Sequence, residues 1–208
     1  MKGQSFIMLE LFAKGGFLMW PLLACSVLAL AIVLAKLYFF FQIQRGADDL
    51  NKEVLELARQ QKFSEAIVVC QRSNSPLARV FVAILHLQGR SREYIKTIAS
   101  EVASREAAPL EHFMGLLSTI ATISPLLGLL GTVLGMIEAF TVIAAQGVGT
   151  PATLGGGISQ ALVTTAAGLT VAIPVILAHR YLSGRINRIS VSMEEYILRI
   201  VDLTGAKH

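Results

Sequence analysis

Three long apolar runs dominate the chain, separated by one charged segment and one glycine-rich stretch. The first, residues 17–41 (FLMWPLLACSVLALAIVLAKLYFFF), is long enough for a helix to cross a hydrocarbon core of about 30 Å, which takes about 20 residues. Trp20 suits one interface; Tyr38, Phe39, Phe40 and Phe41 suit the other. Lys36 lies about a turn inside that second end, where its stem should let the ammonium snorkel outward. Residues 113–145 and 158–183 predict two further spanning helices. The first of these carries no charged residue but Glu138, and the second carries no Asp, Glu, Lys or Arg before Arg180.

Residues 42–112 change character, with ten Lys or Arg and nine Asp or Glu. Leu50, Val54, Leu57 and Ala58, then Phe63, Ala66, Ile67 and Cys70, recur at helical spacing. Ser73 to Pro76 (SNSP) signals a turn and a helix start, and Val80, Phe81, Ile84 and Leu87 share a face of the helix that follows. Gly89 stops it and Ser91 can cap the next. Only Pro109 interrupts the pattern after that, so this helix is expected to run straight into the second span. Residues 1–16 form an amphipathic opening, Phe6, Ile7, Leu9, Leu11 and Phe12 alternating with Glu10 and Lys14, suited to lying in an interface. Gly15 and Gly16 end it. Residues 184–208 predict a C-terminal helix.

Composition agrees with the pattern. Mean hydropathy is +0.62, 54% of residues are apolar and 15% are charged, the balance of an integral membrane protein. The pI near 9.3 does not point to nucleic acid, because the basic residues are spread through a mixed-charge segment and beside the spans. Cys25 and Cys70 lie in different environments, so neither a disulfide nor a metal site is expected, and His86 and His112 stand alone. No short cleaved leader is evident; the first apolar run reads as retained. Positive charge sets the topology. Arg45, Lys52, Arg105, Arg180, Arg185 and Arg188 fall on one side, while the 146–157 loop has no Lys or Arg. The positive-inside rule therefore puts residues 42–112 and the C-terminus in the cytoplasm, with the N-terminus and the loop outside.

The second and third spans carry the candidate chemistry. Ser118, Thr122, Pro125, Leu129, Thr132 and Met136 fall on one helical face of the second. Gly128, Gly131 and Gly135 provide close-packing positions, Gly131 and Gly135 as a GxxxG. In the third, Gln160 and Thr164 share a face, and Thr165 begins a neighbouring one with Gly168 and Ala172. Pro174 should leave the Thr170 carbonyl without its helical donor and so kink the helix. Hydroxyls so placed either pack helix on helix or line a wet route. Neither span has a titratable group at mid-depth, and Glu138 lies near an end. A proton relay would therefore need a carboxylate from another polypeptide. No HExxH, nucleophile–base pair or phosphate loop is present, which argues against an enzyme.

At SPLLGLLGTVLGMIEAF (Ser124 to Phe140) and GISQALVTTAAGLTVAIPVILAHRYLSGRI (Gly157 to Ile186) the sequence resembles the MotA/TolQ/ExbB proton-channel family, more its ExbB or TolQ branches than the larger flagellar stator protein. The resemblance implies an all-α inner-membrane subunit with three spans and a cytoplasmic helical domain, assembled with its own copies as a pentameric ring. It implies partners too: a dimer of an ExbD- or TolR-like single-span protein whose aspartate carries protons, and a TonB- or TolA-like transducer. It matches Thr132 and Thr165 to pore-lining threonines, with Gln160 and Thr164 beside them on the expected route. Gln160 stands where several members have glutamate, so a proton-binding role does not carry over there. Glu138 becomes a charge near the outer mouth, and Gly128, Gly131, Gly135, Gly168 and Pro174 become packing positions. No cofactor is implied. A TolQ-like duty and a non-conducting scaffold remain as alternatives.

Overall fold

The computed structural model describes residues 12, 14–73, 75–146 and 151–204. The described residues are helical with no strand: α1 Met19–Arg59, α2 Phe63–Gln71, α3 Pro76–Leu85, α4 Arg92–Glu111, α5 Met114–Gln146 and α6 Pro151–Thr204. Stretches long and apolar enough to cross a membrane occur in Met19–Phe41, Arg92–Ala145 and Gly155–Thr204. Most of the amphipathic opening, residues 1–11 and 13, lies outside the described residues, as do loop residues 147–150.

Local chemistry explains where helices begin and end. The Ser75 hydroxyl accepts from the Leu77 N–H at 3.3 Å with Pro76 in the first turn, and the Ser91 hydroxyl accepts from the Tyr94 N–H at 3.4 Å. α1 ends in a left-handed cap at Gln61 (φ 58°), where Lys62 N–H donates to Leu57 O at 2.9 Å and Gln61 N–H to Ala58 O at 3.0 Å.

Two boundaries differ from expectation. α4 does not run on into the second span. It stops at Glu111, and the chain turns through Phe113 at φ 65° before α5 starts at Met114. Pro109 near the end of α4 removes a donor, which makes that end easy to break. α6 starts at Pro151, ahead of residue 158, so Gly155, Gly156 and Gly157 are helical rather than loop. It continues without interruption through Pro174 and residue 184 to Thr204.

The chain divides into two units, residues 1–34 with 113–180 and residues 35–112 with 181–208. The second unit has an aliphatic core. Val54, Ala66, Val80, Phe81, Ile84, Leu85, Ile95, Ala99 and Ile200 are fully buried, with Leu50, Cys70, Met193, Ile197 and Val201 around them. The α1, α2 and α3 positions named from periodicity, except half-buried Leu57, Phe63, Ile67 and Leu87, are therefore core. Gly89 N–H donates to Thr204 O at 3.2 Å, tying the α3–α4 turn to the end of α6. Arg79 pairs with the mostly buried Glu106 at 2.6 Å, and Arg92 pairs with Asp202.

Lys36 behaves otherwise than expected. It is 7% exposed and does not snorkel outward. Its Nζ donates to Leu110 O at 2.8 Å and to Pro109 O at 3.3 Å. The last carbonyls of a helix lack intrahelical partners and form the negative end of its dipole, so an ammonium there is doubly satisfied.

Candidate functional site

Within the first unit, α5 and α6 meet along a seam of small residues. On α5 the buried positions Ser124, Gly128, Gly131, Gly135 and Ala139 recur at three- and four-residue steps. On α6 the matching positions are Gly157, Ala161, Thr164, Gly168 and Ala172. A methyl placed on Gly135 would lie 2.6 Å from Gly157 O, and one placed on Gly168 would lie 2.7 Å from Ser124 O. One on Gly131 would lie 2.5 Å from Thr164 Cγ2. Contacts that climb one helix as they descend the other define an antiparallel pair. Without Cβ atoms the two backbones approach closely, which gives dispersion contact where lipid offers no hydrophobic drive. Gly128, Gly131, Gly135 and Gly168 thus take packing positions. Gly157, Ala161 and Ser124 belong to the same seam and were missed, although small residues at 157 and 161 form a small-xxx-small pair. Pro174 is exposed and stands outside it.

The hydroxyls differ in burial and in where they donate. Ser124 is fully buried and donates back to Ile120 O at 2.7 Å. Thr165, half-buried, donates across the pair to Gly128 O at 3.0 Å. Thr132, half-buried, donates to Leu129 O of its own helix at 2.6 Å, which leaves its oxygen free to accept. Thr164 is enclosed. It has no accessible surface, and its Oγ1 lies 3.0 Å from Gly15 O and 2.8 Å from Gln160 O. Within the chain, Thr164 lies in the seam, against Gly131. Gln160 is half-buried with its amide against Gly16. Glu138 is exposed near the end of α5.

Beside the seam on α5 runs the face singled out by polarity. Ser118, Pro125 and Thr132 are half-buried there, while Thr122, Leu129 and Met136 are exposed. One face of α5 is consumed within the chain and the adjoining hydroxyl-bearing face stays open. No group of three or more potential metal ligands occurs among the described residues.

Fold and site together define an all-α, multi-pass membrane protein built on a close-packed pair of long apolar helices. Residues 72–195, more than half of the chain, match the MotA/TolQ/ExbB proton channel family, and the chain belongs to that family. It is 37% identical over 165 residues to the biopolymer transport protein ExbB-like 3 of Synechocystis, covering 78% of this chain and 79% of that one. It is 30% identical to the biopolymer transport protein exbB1 of Vibrio cholerae over 192 residues, 90% of this chain and 84% of that one. The Tol-Pal system protein TolQ of Haemophilus influenzae is 38% identical over 94 residues, 45% of this chain and 41% of its own. Extent of alignment makes the chain most like ExbB.

Proposed function

We propose that this chain is the ring-forming subunit of an inner-membrane, proton-driven motor of the ExbB kind, energising transport across an outer envelope through a TonB-like transducer. The carrying observation is the open face of α5. Thr132 keeps part of its surface, with Thr122, Leu129 and Met136 exposed on the same face, while the glycine face beside them is spent on α6. Five copies would turn those faces, and Thr165 beside them, toward a shared centre. The spans supply hydroxyls but no carboxylate at mid-depth, so the proton carrier is an aspartate on a single-span partner of the ExbD or TolR type. Each charge crossing 100 mV yields about 2.3 kcal/mol, so several protons are needed for substantial work. By the distribution of Lys and Arg, residues 42–112 and the C-terminus are cytoplasmic, and the N-terminus and the 146–157 loop are periplasmic. Glu138 then sits near the outer mouth, and no enzymatic step is involved. The shorter TolQ alignment supports a second reading, service to a Tol-Pal-type envelope system through a TolA-like protein.

The test replaces Thr132 with Val in cells carrying the single-span partner, with Thr165→Val and Thr165→Ser alongside. Energy-dependent uptake should fall steeply in Thr132→Val and Thr165→Val at unchanged protein level, and survive in Thr165→Ser. Full uptake in both Val variants would reduce the protein to a non-conducting scaffold.

A further inference from the structure

Two residues expected on the conducting route are instead committed to the start of the chain. Gly16 adopts φ 70°, a left-handed conformation that favours glycine, and a Cβ there would lie 2.6 Å from Gln160 Nε2. Beside it, the buried Thr164 hydroxyl is shared between Gly15 O at 3.0 Å and Gln160 O at 2.8 Å. Thr164 also touches α5, since its Cγ2 lies 2.5 Å from where a Gly131 Cβ would stand. One side chain thus joins three segments. Beyond the turn, Met19 N–H donates to Gly16 O at 3.2 Å, and the rings of Phe12 and Trp20 meet edge to face at 5.3 Å.

We infer that Gln160 and Thr164 form an intramolecular seat for the Gly15–Gly16 turn that leads into α1, and take no part in ion passage. Only the second clause rests on the proposed function. The chemistry suits a seat. Gly15 is buried, and a buried carbonyl needs a donor, which the Thr164 hydroxyl supplies. The missing Gly16 Cβ makes room for the Gln160 amide. A neutral amide can lie there without the desolvation that a carboxylate would suffer.

The experiment measures amide exchange of the peptide covering residues 14–20 in the full-length protein in nanodiscs. Thr164→Val keeps the shape and removes the hydroxyl, and exchange should quicken about five-fold, the effect of one net hydrogen bond. Thr164→Ser should exchange as the parent does. Gly16→Ala should quicken exchange further, and adding Gln160→Ala should recover part of the loss, a non-additive pairing that direct contact requires. In liposomes holding the chain with its single-span partner, Thr164→Val and Gln160→Ala should retain ion flux while Thr132→Val loses it. Unchanged exchange in both Thr164→Val and Gly16→Ala overturns the seat, as does flux lost in Gln160→Ala without any change in exchange. Should Thr132→Val also retain flux, the conduction reading fails while the exchange data still judge the seat.

Discussion

Individual helical glycines have opposite tolerances that their sequence does not reveal. Gly135 and Gly184 are both helical glycines, yet a Cβ on the first would meet Gly157 O at 2.6 Å and a Cβ on the second meets nothing within 4 Å. Gly135→Ala should therefore lower the thermal midpoint in detergent, because backbone rather than a flexible side chain must move. Gly184→Ala should be stabilising by about 0.5–1 kcal/mol, the usual entropic gain of replacing a helical glycine. Cys70 offers a second contrast. Burial, helped by the negative charge of Glu53, pushes its thiol up to about 12 from 9.0. A thiol reagent at pH 8 should leave it unmodified in the folded protein and modify it on unfolding. Because the folded value is the higher one, Cys70 leaves stability flat below pH 9 and takes stability away as pH rises above it, as the unfolded thiolate becomes favoured. A denaturant midpoint that did not fall between pH 8.5 and 10 in the parent relative to Cys70→Ala would contradict this.

Helix ends are where these elements were hardest to foresee. The second span looked continuous with α4 because residues 92–111 carry helix formers and only one proline. The end of α4 instead carries a contact from far along the chain: the Lys36 ammonium, 73 and 74 residues away in sequence, donates to its last carbonyls. Lys36→Met keeps the apolar stem and deletes the donor, so amides at 110–112 should exchange faster while the core of α4 does not. A uniform change along α4 would show that Lys36 supports the whole unit and not its end. The close of α1 gives a prediction of opposite sign. Gln61 holds a left-handed cap at φ 58°. Gln61→Gly should raise stability by about 1 kcal/mol, read as a shift in denaturant midpoint, since glycine adopts this conformation without a Cβ clash.

At the scale of the whole molecule, the described residues leave much apolar surface open. Leu126, Leu129, Val133, Ile137, Leu162, Ile173 and Leu177 are all exposed. For a membrane protein that surface meets lipid or further copies, and the proposed ring assigns the Thr132 face to the copies. Native mass spectrometry from nanodiscs should then give a multiple of the 22.4 kDa chain, five-fold on the proposed reading, with monomer as the contrary result.

Much of this was legible beforehand because it depends on short-range pattern. Apolar runs of bilayer length, the SNSP turn, the Ser91 cap and the core face of α3 are local, and a helix's periodicity places its residues before any partner is known. The glycine positions were visible for the same reason. Three matters rested on contacts between residues distant along the chain. Lys36 turned inward to a helix end, Thr164 and Gln160 turned to the Gly15–Gly16 turn, and α4 stopped short of α5. In each case a polar group had two physically sound destinations, water or a buried partner, and only the spatial arrangement supplies the partner. Thr132 and Thr164 are the same residue type on adjoining spans, yet one keeps accessible surface and the other has none, because the helix pair closes over one face and not over the next.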